Sequence, residues 1–363
     1  MNNNTTDGLI SKDRLLVAQE GAFQIWMQKG VPQEIIDFLD SVRFGTEGAV
    51  YEHLYTEDRV ASLFNPYLCY ATEGDHLVAC IVVESMETLQ RGIPLASYYI
   101  RYFAANPVYK GRGITTKLAV LFIDNFVALF KDKTIFYGVL EDGNTRSSKI
   151  ADRVGLDRLT NIRTIGFSRF FPKKDARIER LSDPSAQAKH LETLHTFYKD
   201  YILVHFNHIF LKDDYFVIRK EGEIVAGVQM HRAFWRITSM PGLAGKFLIR
   251  ILPYLPLFKK MFNPKRFEFI TFEGIYYQPG HEDTLISLLE GLLAQEKLKT
   301  AIFWLAEKSP IYKMIMERAQ LGVIHQFVKN TNTFKAYNTK FLSPEEEKTL
   351  KDYPPFISTF DFI

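Results

Sequence analysis

The spacing of apolar residues changes period along the chain and predicts helices and strands in succession. In the first half, the pattern predicts helices over 33–42 and 48–64, strands over 67–72, 77–85 and 98–105, a helix over 114–130, a strand over 134–140, a helix over 147–154, and strands near Leu159 and over 164–170. A hairpin followed by a strand–helix–strand unit indicates a mixed sheet with helices packed on it. We therefore expect an α+β fold.

The second half repeats this order of elements from about Leu181. The pattern predicts a helix over 190–201, a hairpin over 215–219 and 224–231, a long strand over 267–277, a helix over 284–295, a strand over 300–305 and a helix over 310–319. We interpret the chain as two divergent copies of one fold. The predicted domains are residues 12–178 and 179–363, each of ordinary domain size.

A basic, glycine-interrupted turn joins the long predicted strand of the first half to its long helix. Gly111 and Gly113 let the backbone approach a ligand closely, and Lys110 and Arg112 add positive charge. The unpaired amides of the following helix N-terminus point at the same spot, so the turn predicts a phosphate or pyrophosphate site. The P-loop spacing is absent, and Thr116 stands where a dinucleotide-binding fingerprint needs glycine.

The turn and a second motif resemble the acyl-CoA cradle of the GCN5-related N-acetyltransferase superfamily. The turn shares the order Pro-x-x-basic-Gly-x-Gly-Ile-small, with Lys110 and Thr115 at positions that vary from the usual pattern. The second motif has Asn144, Ser147, Ile150 and then Gly155-Leu156 at the family's offsets. The resemblance implies two tandem acyl-CoA N-acyltransferase-like domains, each a mostly antiparallel twisted sheet flanked by helices.

The resemblance also implies an activity and a binding site. The activity is the transfer of an acyl group, expected to be acetyl, from acyl-CoA to an amine by direct attack on the thioester. Backbone amides of the turn would hold the CoA pyrophosphate, at Lys110, Gly111, Arg112, Gly113, Ile114, Thr115 and Thr116. Asn144 would lie at the pantetheine or carbonyl region, and the helix that starts at Ser147 would flank the CoA arm. A backbone N–H at Phe103, Ala104 or Ala105 would stabilise the oxyanion, because the two central strands separate there in the family.

The catalytic side chains are less well specified than the cradle. Ala151 stands where the family often has a tyrosine that protonates the leaving thiolate. Tyr137 could replace it, as could tyrosines on the preceding strand, Tyr98, Tyr99 and Tyr102. Carboxylates that could accept the amine proton are Glu84, Glu141 and Asp142. His205 and His208 have no third ligand at a useful spacing, so we expect no metal.

Three functional hypotheses stay open on this evidence. The first is an N-acetyltransferase that uses acetyl-CoA as co-substrate. The second is a transferase of longer acyl chains, suggested by the 30 Phe and 18 Tyr residues and by an apolar insertion. The third is a CoA-binding sensor or scaffold without turnover, suggested by Ala151. The acceptor, a small molecule or a peptide amine, is not identified by the sequence.

The second copy lacks a usable cradle. Its corresponding turn, residues 278–283, has one glycine, an internal proline, and His281, Glu282 and Asp283 where positive charge is needed. The carboxylates would repel pyrophosphate, so we expect this copy to shape the acceptor pocket instead. Tandem copies of this kind resemble the architectures of mycothiol synthase and N-myristoyltransferase.

Charge and composition narrow the list of partners. A formal net charge of +3 is too small to indicate that the protein binds nucleic acid. Residues 237–267 are apolar and carry only positive charges, so membrane contact is possible, but we favour a helix pair buried at the domain seam. Cys69 and Cys80 are expected to be reduced core residues. With no export signal or membrane-length apolar run, the expected location is the cytoplasm.

Overall fold

The computed structural model describes residues 14–45, 49–109, 113–128, 133–329, 332–338 and 342–363. The strands in these ranges are β1 Leu15–Glu20, β2 Phe23–Lys29, β3 Val50–His53, β4 Pro66–Glu73, β5 His76–Gln90, β6 Ile93–Ala105, β7 Thr134–Glu141, β8 Asp157–Ser168, β9 Ile178–Arg180, β10 Tyr215–Lys220, β11 Glu223–Ser239, β12 Phe267–Tyr277, β13 Thr300–Ala306 and β14 Asn332–Asn338. The helices are α1 Gln33–Asp40, α2 Thr56–Ala61, α3 Ile114–Ala128, α4 Thr145–Arg153, α5 Pro184–Phe197, α6 Gly242–Arg250, α7 Pro256–Lys259, α8 Glu282–Gln295, α9 Pro310–Arg318, α10 Val323–Val328 and α11 Pro344–Asp352.

The described strands form one continuous sheet that runs through both halves of the chain. Its order is β1-β2-β4-β5-β6-β7-β14-β8-β13-β12-β11-β10-β9, and β3 pairs with β11 outside this path. Pairing is antiparallel except between β6 and β7 and between β12 and β13. The expected mixed, mostly antiparallel fold with flanking helices is confirmed.

The two halves exchange their last strands. Each half has one parallel pair, β6 with β7 in the first half and β12 with β13 in the second. The strand that follows β7 in the sheet is β14, from the end of the chain, whereas β8 of the first half pairs with β13 of the second. β8 and β14 also pair with each other, which connects the two halves of the sheet. The domain boundary at 178/179 stays a prediction, because the sheet crosses it.

Helix α8 shows how the apolar pattern builds the core of the second half. Leu285, Leu288, Leu289 and Leu292 recur at helical spacing and are completely buried. They pack in one cluster with apolar residues of β10, β11 and β12. A stripe of this kind stabilises a helix by burial against a sheet rather than by its intrinsic propensity.

Most predicted elements are confirmed, with boundaries that move by up to eight residues, as at the end of β11, and one prediction is wrong. The strand over 267–277 is found as predicted, and the two predicted strands near 159 and 164–170 are one strand, β8. The helix expected over 48–64 is instead β3 followed by the short helix α2. The reason is tertiary: β3 pairs with β11 of the other half, with His53 opposite Trp235.

Two further observations bear on the sequence expectations. Cys69 and Cys80 are free and buried, as expected, and burial raises the pKa of both thiols. Within the ranges that the structure describes, no helix is long and apolar enough to cross a membrane.

A close approach between β8 and α10 yields the first prediction. An added Cβ at Gly166 would lie 2.8 Å from the backbone nitrogen of His325, whereas one at Gly138 would lie 3.2 Å from the Ile100 carbonyl oxygen. We expect Gly166→Ala to reduce the free energy of unfolding by about 2 kcal/mol, because the backbone of α10 must shift. Urea unfolding measures the loss, and Gly138→Ala, the matched strand glycine, should cost less. Equal losses would contradict this packing argument.

Candidate active site

The central parallel strands separate in the middle of the sheet. β6 and β7 pair from Ala96 opposite Thr134 to Ile100 opposite Gly138, and the pairing ends there. β6 continues along β5, and β7 continues along β14. The backbone of β6 beyond Ile100 therefore has no partner on the β7 side among the described strands.

A β-bulge lies at the point of separation. One residue of β5, Ile81, faces two residues of β6, Tyr102 and Phe103, because the register shifts between the pairs Val82–Arg101 and Cys80–Ala104. Tyr102 has a φ of 50°, which is uncommon for a residue with a large side chain. Bulges bend a strand and redirect its side chains, and they recur next to functional sites.

The gap opens into a cavity of about 860 Å³ that both halves of the chain line. This volume lies in the usual range for small-molecule sites. The first half contributes mainly polar and aromatic groups, including Tyr51, His53, Tyr99, Arg101, Glu141 and Asn144. The second half contributes a mainly apolar wall, including Trp235, Met240, Leu248, Ile302, Trp304 and Phe327.

A buried ion pair lies behind the cavity wall. Arg101 donates from Nη1 to Oε2 of Glu84 at 2.7 Å, and both side chains are almost fully buried. The other oxygen of Glu84 accepts the Phe64 N–H at 2.9 Å. Arg101 also donates to the carbonyl oxygen of Phe360 at 3.3 Å. This pair therefore joins β5, β6 and the C-terminal segment.

The C-terminal segment, residues 353–363, runs between the two halves and reaches the cavity with Asp361 and Phe362. The Phe362 ring stacks on Trp304 with a centroid separation of 4.5 Å. The N–H of Phe360 donates to Glu273 of β12 at 3.2 Å, and its ring stacks on His208 at 3.9 Å. These contacts fix Asp361 in the cavity wall.

Asp361 lies among buried charges of both signs. Burial raises its pKa to about 8, although Arg101 and Lys335 act in the opposite direction, while Glu84 and Glu273 add to the rise. Lys335 is completely buried on β14, donates to the carbonyl oxygen of Phe356 at 3.1 Å, and has its pKa lowered by burial to about 8. Asp361 is thus a carboxyl group that can gain or lose a proton near neutral pH.

Aromatic rings form one side of the cavity. Tyr51 stacks on Trp235 with a centroid separation of 4.2 Å, and His53 lies edge-on to Tyr51 at 5.4 Å. Burial, together with the positive charges of Arg59 and Arg101, lowers the pKa of His53 to about 3. The imidazole is therefore neutral at physiological pH and adds no positive charge to the cavity.

The three predicted catalytic side chains lie in different surroundings. Glu141 lines the cavity, as does its neighbour Asp142, which pairs with Arg158 at 2.9 Å. Glu84 is engaged by Arg101 and the Phe64 N–H and is not part of the cavity lining. Tyr137 is buried and donates to the sulfur of Met86 at 3.3 Å, also away from the cavity. Their catalytic roles stay predictions.

The other candidate tyrosines divide in the same way. Tyr99 and Tyr102 line the cavity. Burial holds the pKa of Tyr99 well above its ordinary value, so its hydroxyl remains a donor. Tyr98 instead stacks on Phe136 in the core, with the ring centroids 5.2 Å apart.

The predicted cradle is described in part. Lys110, Gly111 and Arg112 lie outside the described residues. Gly113 is exposed with a φ of 71°, and α3 starts at Ile114, with its first bond from the Lys117 N–H to the Gly113 carbonyl oxygen. The amides of Ile114, Thr115 and Thr116 precede that bond and have no intrahelical acceptor.

Of the remaining predicted binding residues, only Asn144 is part of the cavity lining, whereas Phe103, Ala104, Ala105 and Ser147 are not. Asn144 lines the cavity and caps α4, since its Oδ1 accepts the Ser147 N–H at 3.0 Å. This capping bond explains Asn144 on structural grounds, but not Ser147, whose contribution is a backbone N–H. Phe103 belongs to the bulge, and Ala104 and Ala105 continue β6 opposite Cys80 and Ala79. The expected separation of the strands is found, starting after Ile100.

His205 and His208 form no metal site with their neighbours. Their rings are 6.4 Å apart and buried, and burial lowers the pKa of His205 to about 3. Over the described part of the chain, no group of three or more His, Cys, Asp or Glu side chains is arranged to hold a metal ion.

Sequence reasoning missed the contribution of the C-terminal segment and of β3. Asp361, Phe362, Tyr51 and His53 all line the cavity, yet none belongs to a motif. The only available signal was the apolar, aromatic composition of residues 353–363.

Comparisons with known proteins support the fold. No protein-family model matches the chain, and no curated protein matches it in sequence. In structure, the chain is similar to Saccharomyces cerevisiae N-myristoyltransferase with bound myristoyl-CoA, with a TM-score of 0.59 and 9% identity over 97% of this chain and 92% of that chain. A second structure of that enzyme, with myristoyl-CoA and inhibitors, gives 0.61 and 10% over 97% and 89%.

A GCN5-related N-acetyltransferase from Sphaerobacter thermophilus aligns less well, with a TM-score of 0.45 and 9% identity over 78% of this chain and 85% of that chain. Because that TM-score is low, the shared fold rests on the two N-myristoyltransferase structures. The expected tandem N-acyltransferase fold is confirmed by them. At sequence identities of 9% and 10%, the similarity shows a shared fold and nothing further.

The buried ion pair gives a prediction for stability. Glu84→Gln or Arg101→Met should each reduce the free energy of unfolding by about 3–5 kcal/mol, because either change leaves an uncompensated buried charge or an unpaired polar group. The double variant should lose much less than the sum. Urea unfolding of the three variants measures the coupling.

An exposed pair of similar length provides the control. Lys351 lies 2.8 Å from Glu347 on α11 with its side chain in solvent. Lys351→Met should change the free energy of unfolding by only about 0.5 kcal/mol. Additive losses at Glu84 and Arg101 would show that the buried pair is not a unit.

Proposed function

We propose that this protein is an acyl-CoA-dependent N-acyltransferase whose acyl donor and amine acceptor meet in the cavity at the separation of β6 and β7. The observation that carries the proposal is the separation of two parallel strands next to a bulge, where residues of both strands line a cavity of ligand size. The chain also has the fold of N-myristoyltransferase. A backbone N–H in the gap is suited to stabilise a thioester oxyanion.

The reaction assigned to the cavity forms one bond and breaks one. The amine nitrogen attacks the thioester carbonyl carbon, the C–N bond forms, and the C–S bond breaks as the CoA thiolate leaves. The ammonium proton of the acceptor passes to a carboxylate or to water. Holding both reactants in one cavity accounts for a large part of such a rate enhancement.

Asp361 is the carboxylate that we assign as the proton acceptor. It faces the cavity, and its raised pKa makes it a better base than an ordinary carboxylate. Glu141, which also lines the cavity, is the alternative. Tyr99 and Tyr102 are the hydroxyl groups able to protonate the thiolate in place of the absent tyrosine at position 151.

The second candidate is transfer of a long acyl chain rather than acetyl. The specific observation is the size of the cavity and its apolar wall, of which an acetyl group would fill a small part. The similar N-myristoyltransferase structures contain myristoyl-CoA. A binding protein without turnover is the remaining alternative, and an amine panel that yields no product would favour it.

The CoA cradle is tested by a charge at Gly113. We expect Gly113→Glu to weaken acyl-CoA binding by at least about a hundredfold, because a carboxylate would face the pyrophosphate at the N-terminus of α3. The fold should persist, because a Cβ at this position meets no atom within 4 Å. Isothermal titration with acetyl-, octanoyl- and myristoyl-CoA measures the loss and compares the chain lengths.

Gly92→Glu is the matched control. Gly92 has a φ of 82°, equally open surroundings, and a position at the far end of β6. It carries the same backbone strain and the same added charge, so it should bind acyl-CoA like the original chain. Equal affinity in the Gly113 and Gly92 variants would remove the cradle assignment.

The role of Asp361 predicts a pH-dependent rate. With an acceptor found in the amine panel, kcat/KM should rise with pH around 8 as Asp361 loses its proton. In Asp361→Asn this rise should disappear, and the rate should fall about 10²–10⁴-fold. Glu141→Gln under the same conditions separates the two carboxylates: if that variant loses the rise instead, Glu141 is the base.

The same substitution has a stability signature whose sign follows from linkage. Between an unfolded pKa of about 3.9 and the folded value near 8, Asp361 is protonated when folded and ionised when unfolded. Over this pH range the folded state binds one more proton than the unfolded state, so the free energy of unfolding falls as pH rises. Relative to Asp361→Asn, the original chain should lose at least about 1 kcal/mol between pH 4 and 8 in urea unfolding. A pH-independent difference would contradict the raised pKa.

A further inference from the structure

Helices α6 and α7, with the turn between them, present apolar side chains to solvent. Among the described residues, twelve large hydrophobic side chains are exposed, and five of them fall within this short stretch, at Leu243, Phe247, Ile251, Tyr254 and Leu255. Leu243 and Tyr254 are 84% and 83% exposed. We expected a buried helix pair at the domain seam, and Leu248, Met261 and Phe262 are indeed buried, but these five apolar side chains lie in solvent.

The charged residues within this stretch of the chain are all of one sign. Lys246 and Arg250 on α6 and Lys259 and Lys260 at the end of α7 are exposed. The sequence has no Asp or Glu from Met240 to Phe267. We call this surface, formed by the exposed residues 243–260, the basic apolar face.

A neighbouring loop extends the basic apolar face. Phe171 is 77% exposed, and the preceding Phe170 packs edge-on against Phe258 of α7 with centroids 5.4 Å apart. Lys299 lies 5.5 Å from the Phe171 ring. Lys260 is close enough to lower the pKa of Lys299, in addition to the effect of burial. A further exposed aromatic and a further cation thus adjoin α7.

Helix α6 is attached firmly through its other side. Leu248 and Gly245 line the cavity, and a Cβ at Gly245 would lie 2.7 Å from the backbone of Met240. Leu248, on the inner face of α6, is 2% exposed and belongs to a buried apolar cluster, whereas the outer apolar side chains of α6 have no place in that core. Contiguous exposed apolar side chains on such a fixed element mark an interaction site.

We propose that the basic apolar face docks on an anionic phospholipid bilayer. Apolar side chains that project between basic ones match the boundary between acyl chains and charged headgroups, where both kinds of group are stabilised. A nucleic acid would use the cations but not the exposed Leu243 and Ile251, and an acidic protein surface would likewise leave them without a partner. Docking would place α6, a wall of the cavity, against the bilayer.

Sedimentation with vesicles tests the proposal on the full chain. The probes are vesicles of pure phosphatidylcholine and of equal parts phosphatidylcholine and phosphatidylglycerol. We expect binding to the anionic vesicles alone, with strong weakening at about 0.5 M salt, where the Debye length is about 4 Å. Absence of binding, or equal binding to both vesicles, would overturn the proposal.

Two variants separate the charged and apolar contributions. Each basic residue near an anionic surface contributes about fivefold to partitioning. The variant with four charges neutralised should therefore bind at least about a hundredfold more weakly; it combines Lys246→Gln, Arg250→Gln, Lys259→Gln and Lys260→Gln. Leu243→Ser with Tyr254→Ser should lose about tenfold or more. All six side chains are exposed, so the fold should persist, which thermal unfolding checks.

Matched controls change the same kinds of residue elsewhere. One neutralises four exposed lysines outside the face, namely Lys189, Lys199, Lys220 and Lys348. The other is Ile93→Ser, at a side chain that is 70% exposed in the β5–β6 hairpin. Both should bind anionic vesicles like the original chain. If they weaken binding as much as the variants of the face, docking at the face is wrong.

Two more measurements distinguish other occupants and the proposed function. Gel filtration of the original chain and of the Leu243/Tyr254 variant tests self-association. A dimer that the variant abolishes, without any vesicle binding, would show that a second copy covers the face and would overturn the membrane proposal. Acyl-CoA titration of the same variants should be unchanged, so that failure of membrane docking is distinct from failure of the CoA site.

Discussion

The separation of β6 and β7 is the constraint on which the rest of the structure depends. Once the parallel ladder ends at Ile100 and Gly138, the facing edges of both strands would be left unpaired inside the protein. An unpaired buried backbone group costs about as much as a lost hydrogen bond, so such edges need partners or a ligand. β14 pairs with the far edge of β7, and β5 pairs with β6 through the bulge at Tyr102. The space between the separated parts of β6 and β7 is filled by none of the described strands, and the cavity lies there.

This constraint also explains why the halves are not independent. The strand that pairs with β7 comes from the end of the chain, and β8 pairs with β13 in return. The C-terminal segment then lies across the join, held by Arg101 through Phe360 and by Lys335 through Phe356. Buried charges are stable here because they are paired or hydrogen-bonded, and they fix the segment that carries Asp361 to the cavity wall.

The sequence predicted much of the fold because local signals were strong. Strand β12 and helix α8 have apolar residues at unmistakable periods, and their boundaries are found within two residues. The separation of the central strands was expected from a motif that lies nearby in sequence. β3 was predicted as helix, because four residues that pair with the other half of the chain carry no periodic signal of their own. The N-terminal hairpin, β14 and the C-terminal segment were not predicted at all.

By itself the sequence determined which residues form most of the local elements, because apolar period, glycine positions and capping act within a few residues. The phosphate-binding turn stays a prediction. The tertiary structure alone decided which side chains meet in the cavity. Asp361, Tyr51 and Trp304 come from three distant parts of the chain and meet only after strand exchange. It also decided which side chains of residues 243–260 are exposed and so form the basic apolar face. Contacts between residues far apart in the chain have no period for a sequence pattern to reveal.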